Sequence, residues 1–111
     1  MFTKRWEKLG LNDEDDLCEL QIRIMANPHG AASIQGTQGI RKLRFAPTRW
    51  HTGKRGATRV LYVYFEKYHI VLLCLIYDKT EIDNISIGVK QSLNKLILEI
   101  ECELQRIYSE K

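Results

Sequence analysis

Lys42 and Arg44 alternate along residues 40–45, Arg59 lies near the start of residues 58–65, and Tyr77 ends a third segment, 70–77. Residues two apart on a strand share a face. Leu43 and Phe45 should therefore face the core while Lys42 and Arg44 point away from it. Several cations gathered on one sheet face make a surface for phosphate. Tyr62, Tyr64 and Tyr77 are candidate platforms on which bases of single-stranded RNA stack. The polar loop 46–56 adds Lys54, Arg55 and His51, which can converge with Lys42, Arg44 or Arg59.

No acidic residue occurs between Glu19 and Glu66, a stretch holding eight of the 17 basic residues. The formal +3 of the chain thus divides into +8 in that window against −5 elsewhere. Such a dipole suits a polyanion, and phosphate backbones are the usual one. Without carboxylates in the window, a two-carboxylate or two-metal mechanism has no ligands there. No Walker-type lysine follows Gly36 or Gly39, and no Ser or Cys nucleophile pattern accompanies His29, His51 or His69. RNA cleavage without a metal or cofactor remains. In that reaction the 2′-hydroxyl attacks its own phosphate, cations stabilise the developing charge, and a lysine or tyrosine moves the protons. Crowding among cations is what lowers a lysine pKa.

A chain of 111 residues, 44% hydrophobic and 28% charged, is one domain, 1–111, able to form a core. The longest apolar run, 70–77, is far short of the roughly 20 residues of a membrane helix. It predicts a buried central strand instead. The amino terminus lacks a signal-peptide pattern, so the sequence reads as cytoplasmic, with no membrane partner. Cys18, Cys74 and Cys102 are odd in number and widely spaced. They read as reduced packing residues rather than disulfides or zinc ligands.

The elements follow from periodicity. Phe2, Trp6 and Leu9 share one helical face, and Gly10 ends that helix. A second helix starts at Asn12 or Asp13, carries acids in its first turn, buries Leu17, Leu20 and Ile24, and ends at Asn27-Pro28. Residues 29–39 read as loop. Three antiparallel strands follow, and Ser86 caps a long last helix built on Val89, Leu93, Leu96, Ile97, Ile100, Leu104 and Ile107. The expected class is α+β: two N-terminal helices, an antiparallel sheet of at least three strands and a C-terminal helix, with the helices segregated from the sheet.

Three segments carry a resemblance. Residues 39–46 (GIRKLRFA), 53–62 (GKRGATRVLY) and 77–86 (YDKTEIDNIS) are similar, in that order, to motifs of HigB-type toxins in the RelE/ParE superfamily. Asn27-Pro28 and the Ile34–Gly39 stretch also fit, so the likeness covers most of residues 2–98. It implies a RelE-like fold and the toxin of a type II toxin–antitoxin module. Such toxins enter the ribosomal A site, cut mRNA there without metal, and are neutralised by a small antitoxin, typically a helix-turn-helix protein. Carried over by motif, Arg59 binds the scissile phosphate. Lys42 or Lys79 carries protons or stabilises charge, with Tyr77 beside Lys79. Arg44 and Lys54 match basic positions expected to contact RNA, and Arg55, Tyr62 and His51 join them as RNA-binding candidates from their places in the basic loop and strand. The resemblance also admits a gyrase poison of the ParE branch or an inactive RNA-binding relative. Relatives begin with a short strand before the segment equivalent to Phe2–Trp6, and this chain starts at Met1 without it.

Overall fold

The computed structural model describes residues 2–50, 57–78 and 85–109. Helix α1 spans Phe2–Lys8 and α2 spans Asp16–Ala26. Strands β1 (Ala32–Ser33), β2 (Arg41–Phe45), β3 (Thr58–Phe65) and β4 (Ile70–Asp78) form one antiparallel sheet in that order. Helix α3, Ile87–Ser109, closes the described chain. The fold is mixed α+β, as the periodicities predict. None of the described helices is long and apolar enough to cross a membrane.

Local chemistry sets the element ends. The Ser86 hydroxyl accepts from the Val89 N–H at 3.2 Å, capping α3 as expected. Asn12 also caps, but one turn before α2. Its side-chain oxygen accepts from the N–H groups of Asp15 (2.8 Å) and Asp16 (3.1 Å), so a turn over 13–15 precedes the regular helix. The segment 29–39 is not wholly loop, because Ala32 and Ser33 pair with Lys42 and Arg41. Two residues are too few to show an alternation.

The sheet is covered on both faces. On one side Trp6 of α1 and Leu20 and Ile24 of α2 pack with Phe45, Val60, Tyr62 and Ile76. Trp6 stacks against Phe2 and Phe45, with ring centroids 5.7 and 6.1 Å away. On the other side Leu93 and Ile97 of α3 pack with Ile40, Leu61, Val63, Phe65, Leu75 and Tyr77. At its far end α3 rests Tyr108 on Tyr68 of the β3–β4 connection, so its first turn lies toward the opposite end of the sheet.

This layering corrects two expectations. β4 is an edge strand among the described residues, not a central one. A continuous apolar run reports that both faces are covered, and says nothing of how many strands flank it. Ile40 is also fully buried although it shares a face with Lys42 and Arg44. That face is core under α3 at Leu93 and Ile97 and charged beside the first turn of α3. Cys74 is buried and burial pushes its thiol up to about 11, which fits an inert packing residue.

Candidate nucleic-acid interface

Register assembles the site. Arg44 of β2 pairs with Arg59 of β3, and Arg59 pairs with Tyr77 of β4. Residues directly opposite in antiparallel strands point to the same face, so the three form one row across the sheet on the α3 side. Strands lie about 4.8 Å apart, which places the ends of the row about 10 Å from each other. The next row inward on this face is Lys42, Leu61 and Leu75.

Tyr77 belongs to this row because of a bulge. From Phe65↔Ile70 to Tyr62↔Leu73 the pairing is regular, but Leu61 then pairs with Leu75, leaving Cys74 as an extra residue in β4. Without that extra residue Arg59 would oppose Ile76, and Tyr77 would turn toward α1. One inserted residue therefore re-aims every later side chain of the strand.

The cations of the basic window divide sharply by what they touch. Arg49 binds the Asp16 carboxylate and the Gly10 carbonyl. Arg41 donates to the carbonyls of His29 (2.9 Å) and Ala31 (2.7 Å). Arg23 lies 3.8 Å from Glu19 and over the Phe45 ring. These three are occupied with holding the fold. Lys42 and Arg44 are exposed and form no ion pair among the described residues. Arg59 is only 8% exposed, and its guanidinium donates to the Ala57 carbonyl at 2.6 Å, with no carboxylate partner among the described residues. It is a cation fixed in position by a backbone carbonyl.

Tyr77 is 2% exposed as a residue, yet its hydroxyl has no hydrogen bond among the described residues. Burial raises its pKa, and the nearby charge of Arg59 partly opposes that. The phenol therefore keeps its proton at neutral pH. It lines a cleft of about 140 Å3 with Ile34, Lys42, Ile85 and Lys90, and no carboxylate is among the described residues of that lining. A larger cavity, about 500 Å3, opens on the other face between α2 and the β3–β4 hairpin, lined largely by apolar side chains such as Ile24, Met25, Val71 and Leu73. The cation row is not part of it, and size alone does not make it the better candidate.

Of the residues singled out from sequence, the structure brings together Lys42, Arg44, Arg59 and Tyr77. Lys79, His51, Lys54 and Arg55 lie outside the described residues. Tyr62 is a correction. It points to the α1–α2 face, is 1% exposed, and its hydroxyl donates to the Pro28 carbonyl at 2.8 Å, so it offers no stacking surface. It lies three residues from Arg59 along one strand, and odd spacing puts the two on opposite faces. Tyr62→Phe should cost about 1 kcal/mol, the net worth of one such bond, and leave RNA affinity unchanged. Urea denaturation and oligonucleotide binding measure the two effects separately.

Sequence reading missed Lys90. It lies three residues before Leu93 and seven before Ile97, so a cation occupies the buried stripe of α3, and that spacing was the available signal. Among the described residues no group of three or more His, Cys, Asp or Glu side chains is placed to hold a metal. No model of a known protein family matches the chain.

Proposed function

We propose that this protein is a toxin of the RelE/ParE kind, an endoribonuclease that cuts mRNA on the ribosome without a metal, neutralised by a small antitoxin. The carrying observation is the cross-strand row of Arg44, Arg59 and Tyr77, with Lys42 beside it. Cations with no ion-pair partner among the described residues, beside a protonated phenol, favour an anion that must gain charge and accept a proton as it reacts. The three motif segments add the toxin class, the ribosome and the antitoxin.

The row and the motif residues support one chemistry. Arg59 and Arg44 hold the scissile phosphate and stabilise its added negative charge in the transition state. The ribose 2′-oxygen bonds to phosphorus, and the bond from phosphorus to the 5′-oxygen breaks, leaving a 2′,3′-cyclic phosphate and a 5′-hydroxyl. The 2′-hydroxyl proton passes to solvent, with Lys42 or Lys79 as its carrier or as a stabiliser of the developing charge. Tyr77 gives its proton to the departing 5′-oxygen. The test is induction of the chain in growing cells with mapping of mRNA 5′ ends on translating ribosomes. New ends within the A-site codon are expected. DNA breaks without mRNA ends would replace this reading by gyrase poisoning, and neither effect would leave at most an RNA-binding protein.

A further inference from the structure

We infer that Lys90 is a further nucleic-acid contact, and that it binds with Lys42 a second phosphate of the strand whose scissile phosphate lies on Arg59. This rests on the RNA-cleaving reading above and makes the first turns of α3 part of the interface.

The cleft is the right size for such a group. Its volume of about 140 Å3 equals roughly five waters of liquid. Small-molecule pockets are about 300–1,000 Å3. A phosphate fits, and a nucleoside does not. Both lysines line the cleft, one from the exposed face of β2 and one from the sheet-facing stripe of α3. The Lys90 ammonium has only a long contact, 3.5 Å, to the Gln35 carbonyl. A lysine that merely covers Ile34 and Ile85 with its stem would point its charge to water or to an acid. Here it shares a cleft with a second lysine and Tyr77, with no carboxylate among the described lining residues, an arrangement relieved by an anion between the two ammonium groups.

The spacing suits successive phosphates. Lys42 and Arg44 are two residues apart on β2, hence about 7 Å. That is about the step between neighbouring phosphates of an unstacked strand. The wall opposite β4 is also fixed. Asn94, one turn beyond Lys90, donates to the Gly36 carbonyl at 2.9 Å and accepts from the Gln38 N–H at 2.9 Å. This bracket ties the loop carrying Gln35 to α3, so Lys90 meets a preformed cleft.

The test is binding of a short single-stranded 2′-O-methyl RNA, which lacks the attacking hydroxyl, to the purified full chain across a salt series. Each phosphate contact contributes about 0.7 to the slope of log affinity against log salt for single strands. Lys90→Ala should reduce the slope by about 0.7 and weaken binding several-fold. Lys90→Arg should keep the slope, and Lys42→Ala added to Lys90→Ala should lower it by less than two separate contacts would. An unchanged slope in Lys90→Ala, with a reduced one in Arg59→Ala, overturns the second phosphate site and leaves the RNA reading standing. Wild-type binding that ignores both salt and Arg59→Ala overturns both.

Discussion

Arg59→Ala lowers mRNA cleavage on the ribosome by about 10²- to 10³-fold, the usual effect of removing one preorganised donor to developing charge, while the chain stays folded. Arg59 sits in the middle of the row, on an interior strand, with its guanidinium held to the Ala57 carbonyl. In the proposed mechanism, holding the charge in place before the reaction makes it effective, because no reorganisation is needed when the phosphate gains charge. Removing it strands no buried acid, since it has no carboxylate partner among the described residues. The stability cost should be about 1 kcal/mol for the lost bond to a carbonyl. Arg59→Lys restores charge without the planar fork that grips two phosphate oxygens, and should recover only part of the rate. Primer extension on ribosome-bound mRNA gives the rate and thermal denaturation gives the fold. A folded Arg59→Ala protein that cuts as well as wild type would remove Arg59, and with it the proposed mechanism.

Much of the scaffold was legible because strand and helix periods differ. The alternation around Lys42 and Arg44 and the β-branched run around Val60 both became strands where expected. Stretches of two residues, such as Ala32–Ser33, carry no period and stayed hidden. The acid-free window located Lys42, Arg44 and Arg59 but did not say which cations were already used. Arg49 was not distinguishable from Arg44 until its partner Asp16, 33 residues earlier, was placed beside it. Tyr77 was singled out from a motif, but its place beside Arg59 depends on the bulge at Cys74, which no alternation within an unbroken apolar run reveals. Lys90 required reading a buried helical stripe for the wrong kind of residue rather than the right one.

Arg49→Ala destabilises the fold by about 3 kcal/mol, roughly a hundredfold in the folding equilibrium, without altering the salt slope of RNA binding. Asp16 is 1% exposed, and a buried carboxylate stripped of its partner is what makes such losses large, typically 3–5 kcal/mol. The low end applies because Arg49 is 45% exposed in its side chain and water can replace part of it. The pair also joins distant elements: Arg49 bridges Asp16 of α2 and the Gly10 carbonyl, and the Asn12 N–H donates to the same carboxylate at 2.8 Å. Glu19 reinforces the joint by accepting from the Thr48 N–H and hydroxyl. The hydrogen bond from Arg49 is the main reason that the Asp16 pKa is lowered, against the opposing effect of burial. A carboxylate with a depressed folded pKa contributes stability that is complete above its unfolded value near 3.8 and is lost as pH falls through the folded value. The wild-type advantage should therefore be largest at neutral pH and shrink below about pH 4, where protonation of Asp16 relieves the variant of its unpaired charge. Asp16→Asn added to Arg49→Ala removes that charge at every pH and should recover part of the loss at pH 7. Urea denaturation of the three proteins at pH 7 and pH 3.5 decides the matter, and a double variant no better than Arg49→Ala would mean that the arginine acts through Gly10 and packing instead.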